Sequence, residues 1–316
     1  FYNEQKTDFL VDFFTPATVP GAAVTFSPNA SPQTYFIGDQ DRLERDTAIF
    51  AEVTYDLIPS KLEATVGYRY NETESELNGV AGYQSGPVFI DTSTSSNQSL
   101  YKANLSWHVN EDVLTYVTFS QGFRPGGVNR IQGATVPLVY EPDFIDNYEL
   151  GWKTTSLNGR LRFNGAAFYV KNRDFQFGRF NFAEAPLLLV TNVGDTRSIG
   201  IETDFQFDAT ENLTFSGGFL ILDSELDEDA FFGGDPARAA GGPPDAPEGT
   251  EVPFAPNFNA TLSARYDGSI NPEMDYFWQA DITHNGSSFN GLTGSAVFPL
   301  QEQDSYTLVN LSAGIT

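Results

Sequence analysis

The sequence predicts an all-β chain that forms a transmembrane antiparallel β-barrel, and three observations carry that expectation. Apolar and polar residues alternate with period two over stretches of about ten to thirteen residues, the mark of a strand between an apolar and a polar medium. Short turns near residues 59, 111, 158, 210 and 271 alternate with long polar loops, which is the layout of an outer-membrane barrel. Phe (28), Tyr (14) and Gly (28) are abundant while Cys is absent and Met occurs once, a composition that suits strands and turns.

Composition also excludes. A net charge of -25 over 316 residues leaves no basic footprint for a nucleic-acid partner. Without Cys there is no disulfide framework and no thiolate metal site. Two histidines, His108 and His284, supply a His-based metal centre or a Ser-His-Asp triad poorly. No apolar run approaches the roughly eighteen residues of a spanning helix, and the start FYNEQKTDFL does not read as a signal peptide.

Residues 1–42, with fragments such as TPATVPGAAVTFSPNASPQ, read mostly as an extracellular loop after the tail of an earlier strand, and 43–316 as barrel strands and loops. From Arg45 onward Thr47, Ile49, Ala51, Val53, Tyr55 and Leu57 share one face. A turn at Pro59-Ser60 leads to Leu62, Ala64, Val66, Tyr68 and Tyr70 on the returning strand. A polar loop over about Glu72 to Asn97 follows. Tyr101, Ala103, Leu105 and Trp107 then face away from Lys102, Asn104, Ser106 and His108. The strand Val113 to Gln121 has two faces that the pattern does not rank. After a Gly/Pro-rich loop, Tyr148, Leu150, Trp152 and Thr154 share a face, and Asn158-Gly159 marks a hairpin turn. Strands with apolar faces Leu161/Phe163/Ala167/Tyr169, Ile199/Ile201/Phe205/Phe207 and Leu213/Phe215/Phe219/Ile221 come next. The longest loop, DSELDEDAFFGGDPARAAGGPPDAPEGTEVP, precedes a pair carrying Ala260/Leu262/Ala264/Tyr266 and Tyr276/Trp278/Ala280/Ile282, and a last strand starts at Tyr306 and is still running at Thr316.

Two other architectures share parts of this pattern. A propeller has a period of about fifty residues but four short strands per blade, whereas two long ones are found here. A soluble β-sandwich would hold the aromatics in its core. Trp107, Trp152 and Trp278 lie on apolar faces within about eight residues of a short turn, where an interfacial aromatic girdle belongs. With lipid outside, the inner face is free to be polar and hydrated.

The stretch TFSQGFRPGGVN followed by YEPDFIDNYELGWKT resembles the barrel of TonB-dependent outer-membrane receptors. That family joins S-x-G-F-(K/R)-x-G-G-x-N to Y-x-P-E-x-x-x-N-Y-E-L-G-x-K, matched here by Ser120 to Asn129 and by Tyr140 to Lys153, with Asp143 where Glu is usual. FNGAAFYVKNRDFQ and NVGDTRSIGIETDFQF resemble the strands that follow. The resemblance implies a barrel of about twenty-two strands around a plug, and about eleven are counted here without a plug or coupling box. The chain therefore reads as a fragment, the C-terminal part of the barrel, with short periplasmic turns, long extracellular loops and open edges that no bilayer satisfies by themselves. It implies an active-transport receptor in the outer membrane of a Gram-negative bacterium. Its partners would be membrane lipid, a TonB energy-coupling complex acting through the missing N-terminal part, and a scarce solute such as a ferric siderophore, vitamin or glycan. Alternatives are a passive porin of about sixteen to eighteen strands and a secreted soluble adhesin or carbohydrate-active protein.

No phosphate loop, nucleophile elbow or dinucleotide fingerprint is present, so no catalytic residue, cofactor or metal is expected. Asp223, Glu225 and Asp227 alternate like calcium ligands, but Glu228 and Gly234 stand where an EF-hand needs Gly and Glu. The loop from Gly122 and the motif after it offer Arg124, Asn129, Arg130 and Tyr140 as ligand-binding candidates. The two arginines are cations in an acidic chain, suited to an anionic ligand or ferric chelate, and the glycines and Pro125 shape the strand exit.

Overall fold

The computed structural model of the protein describes residues 2–14, 34–83, 88–131, 137–181, 185–233, 238–293 and 299–315. Strands β1 (Tyr2–Phe14), β2 (Thr34–Ile58), β3 (Leu62–Tyr83), β4 (Val88–Asn110) and β5 (Val113–Arg124) come first. A small ladder of β6 (Gly127–Val128) and β7 (Val139–Tyr140) precedes β8 (Asp143–Ser156) and β9 (Leu161–Arg173). A second, β10 (Gln176–Asn181) with β11 (Ala185–Asn192), precedes β12 (Thr196–Asp208), β13 (Leu213–Leu226), β14 (Phe258–Asn271) and β15 (Met274–Asn285). The third, β16 (Ser288–Phe289) with β17 (Glu302–Gln303), precedes β18 (Tyr306–Ile315). One sheet of twelve strands runs in the order β1-β2-β3-β4-β5-β8-β9-β12-β13-β14-β15-β18, and its neighbours are antiparallel throughout. Among the described residues β1 and β18 are its two edges, and the wall is an open arc of barrel.

The count is one above the expected eleven because the start of the chain is laddered. Tyr2 pairs with Thr47 and Phe13 with Phe36, which corrects the reading of 1–42 as mostly loop; residues 15–33 lie outside the described residues, as does Thr316. Within the polar stretch from Glu72 to Asn97 the chain is likewise laddered on both sides of residues 84–87, which lie outside the described residues, with Glu72 opposite Asn97 and Val80 opposite Phe89. The physical reason is shared. An apolar band about 25 Å tall takes only about ten residues of tilted strand, whereas β2, β3 and β4 have 25, 22 and 23. Their upper arms continue as a water-exposed sheet, where Thr and Ser hold a strand without needing an apolar face.

Register sorts the faces as the alternation predicts. Ile49, Val53 and Tyr55 point outward at 70%, 63% and 68% exposure. Opposite Ala103, Leu105 and Trp107 stand Phe119, Val117 and Thr115, which ranks the faces of β5. The inner face is bonded across strands: Lys102 Nζ reaches Glu52 at 2.9 Å, Asn104 Nδ2 donates to Thr118 Oγ1 at 2.7 Å, and Tyr116 Oη donates to Glu149 at 2.6 Å. At the Asn-Gly hairpin, Leu157, Asn158 and Gly159 all take positive φ (53°, 57° and 86°), a geometry that Asn and Gly tolerate.

The buried apolar clusters of the described residues sit where the long connections pack on one another and on the upper ends of the wall strands. Val193, Leu226, Ala230, Phe232, Ala246 and Leu292 pack together with Phe175 and Phe177 against them, joining the connections after β9, β13 and β15. A second cluster sets Leu77 and Ile90 of the upper wall against Val128 and Leu138 of the β5–β8 connection. The long loops thus form a packed cap at one end of the arc.

Candidate functional site

The two halves of the sequence motif meet where β5 ends and β8 begins, with Arg124 opposite Asp143. Asp143 is completely buried. Its carboxylate accepts from Arg124 Nε at 2.8 and 3.0 Å, from Arg124 Nη2, from the Arg124 backbone at 3.2 Å and from the Gln176 backbone at 3.1 Å. A charge removed from water persists only with such a donor set. Arg124 also donates to the Gln176 carbonyl at 3.0 Å and lies 5.3 Å over the Phe175 ring. Gln176 in turn donates to the carbonyls of Pro125 and Glu141, both at 2.9 Å. Asn192 accepts from the Glu141 backbone at 2.8 Å and donates to the Asp174 carbonyl at 2.7 Å. The connections after β5 and β9 are therefore tied together by side-chain amides and one cancelled charge.

Asn129 works the same way from the inside. It is 3% exposed, donates to the carbonyls of Pro137 (2.8 Å) and Val190 (2.6 Å), and accepts from the Val190 backbone at 2.8 Å. The loop folds inward onto the upper wall, where Gln40 Nε2 donates to the Arg130 carbonyl at 2.7 Å and Arg42 Nη2 to the Val128 carbonyl at 2.5 Å. Burial, and then the neighbouring Arg42 charge, push the Arg130 guanidinium below its ordinary pKa. Tyr140 pairs with Gly127, and its ring covers that glycine so closely that a Cβ would collide with the phenol. Arg124, Asn129, Arg130 and Tyr140 thus all lie on or beside one loop. Arg124 and Asn129 have protein partners for their polar atoms.

The β6–β7 ladder stands between two chambers. The luminal one, about 520 Å³, is lined by Tyr140, Arg69, Glu44, Asp46 and Ser75. The outer one, about 630 Å³, opens among the connections after β5, β9 and β13 and reaches down to Ser96 and Gln98 of β4. Its described lining carries four carboxylates, Glu141, Asp174, Glu228 and Asp229, against the single guanidinium of Arg238. Among the described residues no cluster of three or more His, Asp or Glu is arranged to hold a metal ion. Glu225 and Asp227 face Arg197, and Asp227 and Asp195 face Lys171 at 3.6 and 3.1 Å.

The three tryptophans sit three or four residues from the turn ends of their strands. Trp107 and Trp278 are exposed at 55% and 63%, and Trp152 is half-buried because its indole covers Gly165. A concavity of about 1,030 Å³ lies on this same outer face, lined by residues such as Val66, Leu105, Leu150 and Ile201. It is the waist that strand twist gives a barrel wall, and acyl chains suit it better than a polar solute. Sequence reasoning missed Gln176 and Asn192; polar residues outside a periodic pattern carry no local signal, and only the strict Arg-to-Asp spacing of the motif hinted at a tie.

An antiparallel wall, apolar outside, polar inside and capped by packed loops, defines part of a large transmembrane β-barrel. A family model described as TonB dependent receptor-like, beta-barrel matches residues 2–316, and the chain belongs to that family. The probable TonB-dependent siderophore receptor PiuA of Acinetobacter baumannii is 22% identical over 194 residues, covering 60% of this chain and 25% of that protein. The metal-pseudopaline receptor CntO of Pseudomonas aeruginosa is 25% identical over 171 residues, 54% of this chain and 23% of that one. The chain thus spans about a quarter of the length of these relatives. The ferric yersiniabactin uptake receptor FyuA from Yersinia pestis superposes with a TM-score of 0.72 at 17% identity, over 89% of this chain and 40% of that one. The ferric-catecholate import receptor Fiu from Escherichia coli K12 gives 0.66 at 17% identity, over 98% and 43%.

Proposed function

We propose that this chain forms wall and mouth of an outer-membrane receptor in a Gram-negative bacterium, one that binds a scarce solute of the siderophore class and imports it with TonB-coupled energy. The observation that carries this reading is the packed cap over a polar inner wall, in a chain whose relatives bear receptor names. A mouth held together by cross-loop bonds suits capture of a dilute solute better than free diffusion, and binding alone cannot supply the work of release inward. In this reading Tyr140, on the luminal chamber, meets the solute, Arg130 adds positive charge beneath the loop, and Arg124 and Asn129 act through the loops they hold. The protein acts as a transporter and not an enzyme.

The test is uptake of iron-labelled chelates by cells carrying the complete receptor, with and without a functional inner-membrane coupling complex. Uptake that stops when coupling is disabled supports the reading. Uptake that continues unchanged makes the protein a passive pore.

A further inference from the structure

We propose that the outer face of the wall holds one molecule of a zwitterionic phospholipid, its acyl chains in the concavity, its phosphate on Lys171 and Arg197, and its ammonium on Asp223. This needs only that the wall spans a membrane, and it stands apart from the identity of the solute. The first observation is a row of polar and charged side chains at one level. Register sets Gln121 opposite Asp146, Asp146 opposite Lys171, Lys171 opposite Arg197, and Arg197 opposite Glu225. Each stands two positions along its strand from Phe119, Tyr148, Tyr169, Ile199 or Asp223, so the two rows share the outward face. The row of Phe119 to Asp223 lines the apolar concavity of about 1,030 Å³. Phe119, Tyr148 and Tyr169 run along its upper rim with ring centroids 5.1 and 6.3 Å apart. Aromatic rings at such a boundary mark the membrane interface, which puts the charged row at headgroup height on the side of the long loops.

The second observation is the kind of charge. Lys171 and Arg197 are directly opposed cations, a pairing that is unfavourable until anions lie beside it. Asp195 and Asp227 approach Lys171 at 3.1 and 3.6 Å, and Glu225 and Asp227 approach Arg197. Both cations still keep 35% and 33% of their side-chain surface open, and a phosphate laid across them would accept charged hydrogen bonds from both. A headgroup bearing negative charge alone would also meet Asp146 and the three carboxylates that flank the pair, so attraction and repulsion would offset each other. Asp223 supplies the match for a headgroup of both signs. It is exposed on the rim of the concavity, diagonally across from Arg197, and its carboxylate has no ion-pair or hydrogen-bond partner among the described residues. A lone carboxylate beside hydrocarbon is unfavourable, and an ammonium carried on the same headgroup as the phosphate gives it a counter-ion.

The experiment is native mass spectrometry of the complete receptor in detergent, stripped of lipid and then offered equimolar phosphatidylethanolamine and phosphatidylglycerol with identical acyl chains. Phosphatidylethanolamine is expected to be retained at one per receptor, about tenfold in preference to phosphatidylglycerol. Asp223→Asn, a change of charge at an exposed position with little change of shape, is expected to cut that preference about three- to tenfold. The double variant Lys171→Gln, Arg197→Gln is expected to lower retention of both lipids, with circular dichroism checking that strand content is kept. Equal or greater retention of phosphatidylglycerol, a preference that Asp223→Asn leaves intact, or no retained lipid at all overturns the proposal. Each of those outcomes leaves the uptake reading to the chelate assay, which measures neither lipid.

Discussion

Asp143 shows how much a single side chain can organise. Its carboxylate gathers donors from Arg124 and from the Gln176 backbone while wholly out of water. Asp143→Asn removes the charge and keeps the shape, so Arg124 loses its counter-ion. A charged hydrogen bond of this sort contributes about 1.5–3 kcal/mol, and Arg124 is half-exposed, which favours the lower end. Hydrogen exchange at Arg124 and Gln176 should therefore accelerate about tenfold or more in the complete receptor. Asp143→Glu, the residue usual in the resembled motif, should restore most of the protection. The sequence marked Arg124, Asn129, Arg130 and Tyr140 as one region because they share a motif. It could not show that Asn129 bonds Val190, sixty-one positions away, since no local pattern encodes a partner that distant.

At the level of the strand, period two was enough to orient most of the wall. Leu150 faces outward at 56% exposure, between Val117 and Ala167; Ser216, opposite Gln206, faces in. Leu150→Arg should cost about 2–4 kcal/mol of refolding free energy in lipid vesicles, whereas Ser216→Arg, with lumen water to solvate it, should cost less than 1 kcal/mol or so. Equal costs at both positions would reverse the assignment of faces. Strand limits were less readable than strand faces. The upper arms of β2, β3 and β4 lack an apolar side, so the signal that finds membrane strands is silent there although the ladder continues.

The whole molecule is an arc whose first and last strands, β1 and β18, each leave a row of backbone groups unpaired among the described residues. Leu308, Val309, Leu311 and Ile315 lie along the β18 edge at 52%, 62%, 80% and 66% exposure. Such an edge templates further pairing. Residues 1–316 produced alone and placed in detergent should therefore associate, and light scattering after size exclusion should find multimers. A stable monomer that keeps its strand content would mean the edges close on each other.

What the sequence by itself determined was the wall: strand type, facing, turn positions and the family resemblance. These follow from contacts between neighbours two or a few residues apart and from the sign of the medium on each side. Only the tertiary structure decided the mouth. The loop after β5 turns inward, and Gln176, Asn192 and Asn129 tie the loops to one another. Those arrangements depend on bonds between residues far apart in the chain, and hydrogen-bond partners of that kind leave no period to read.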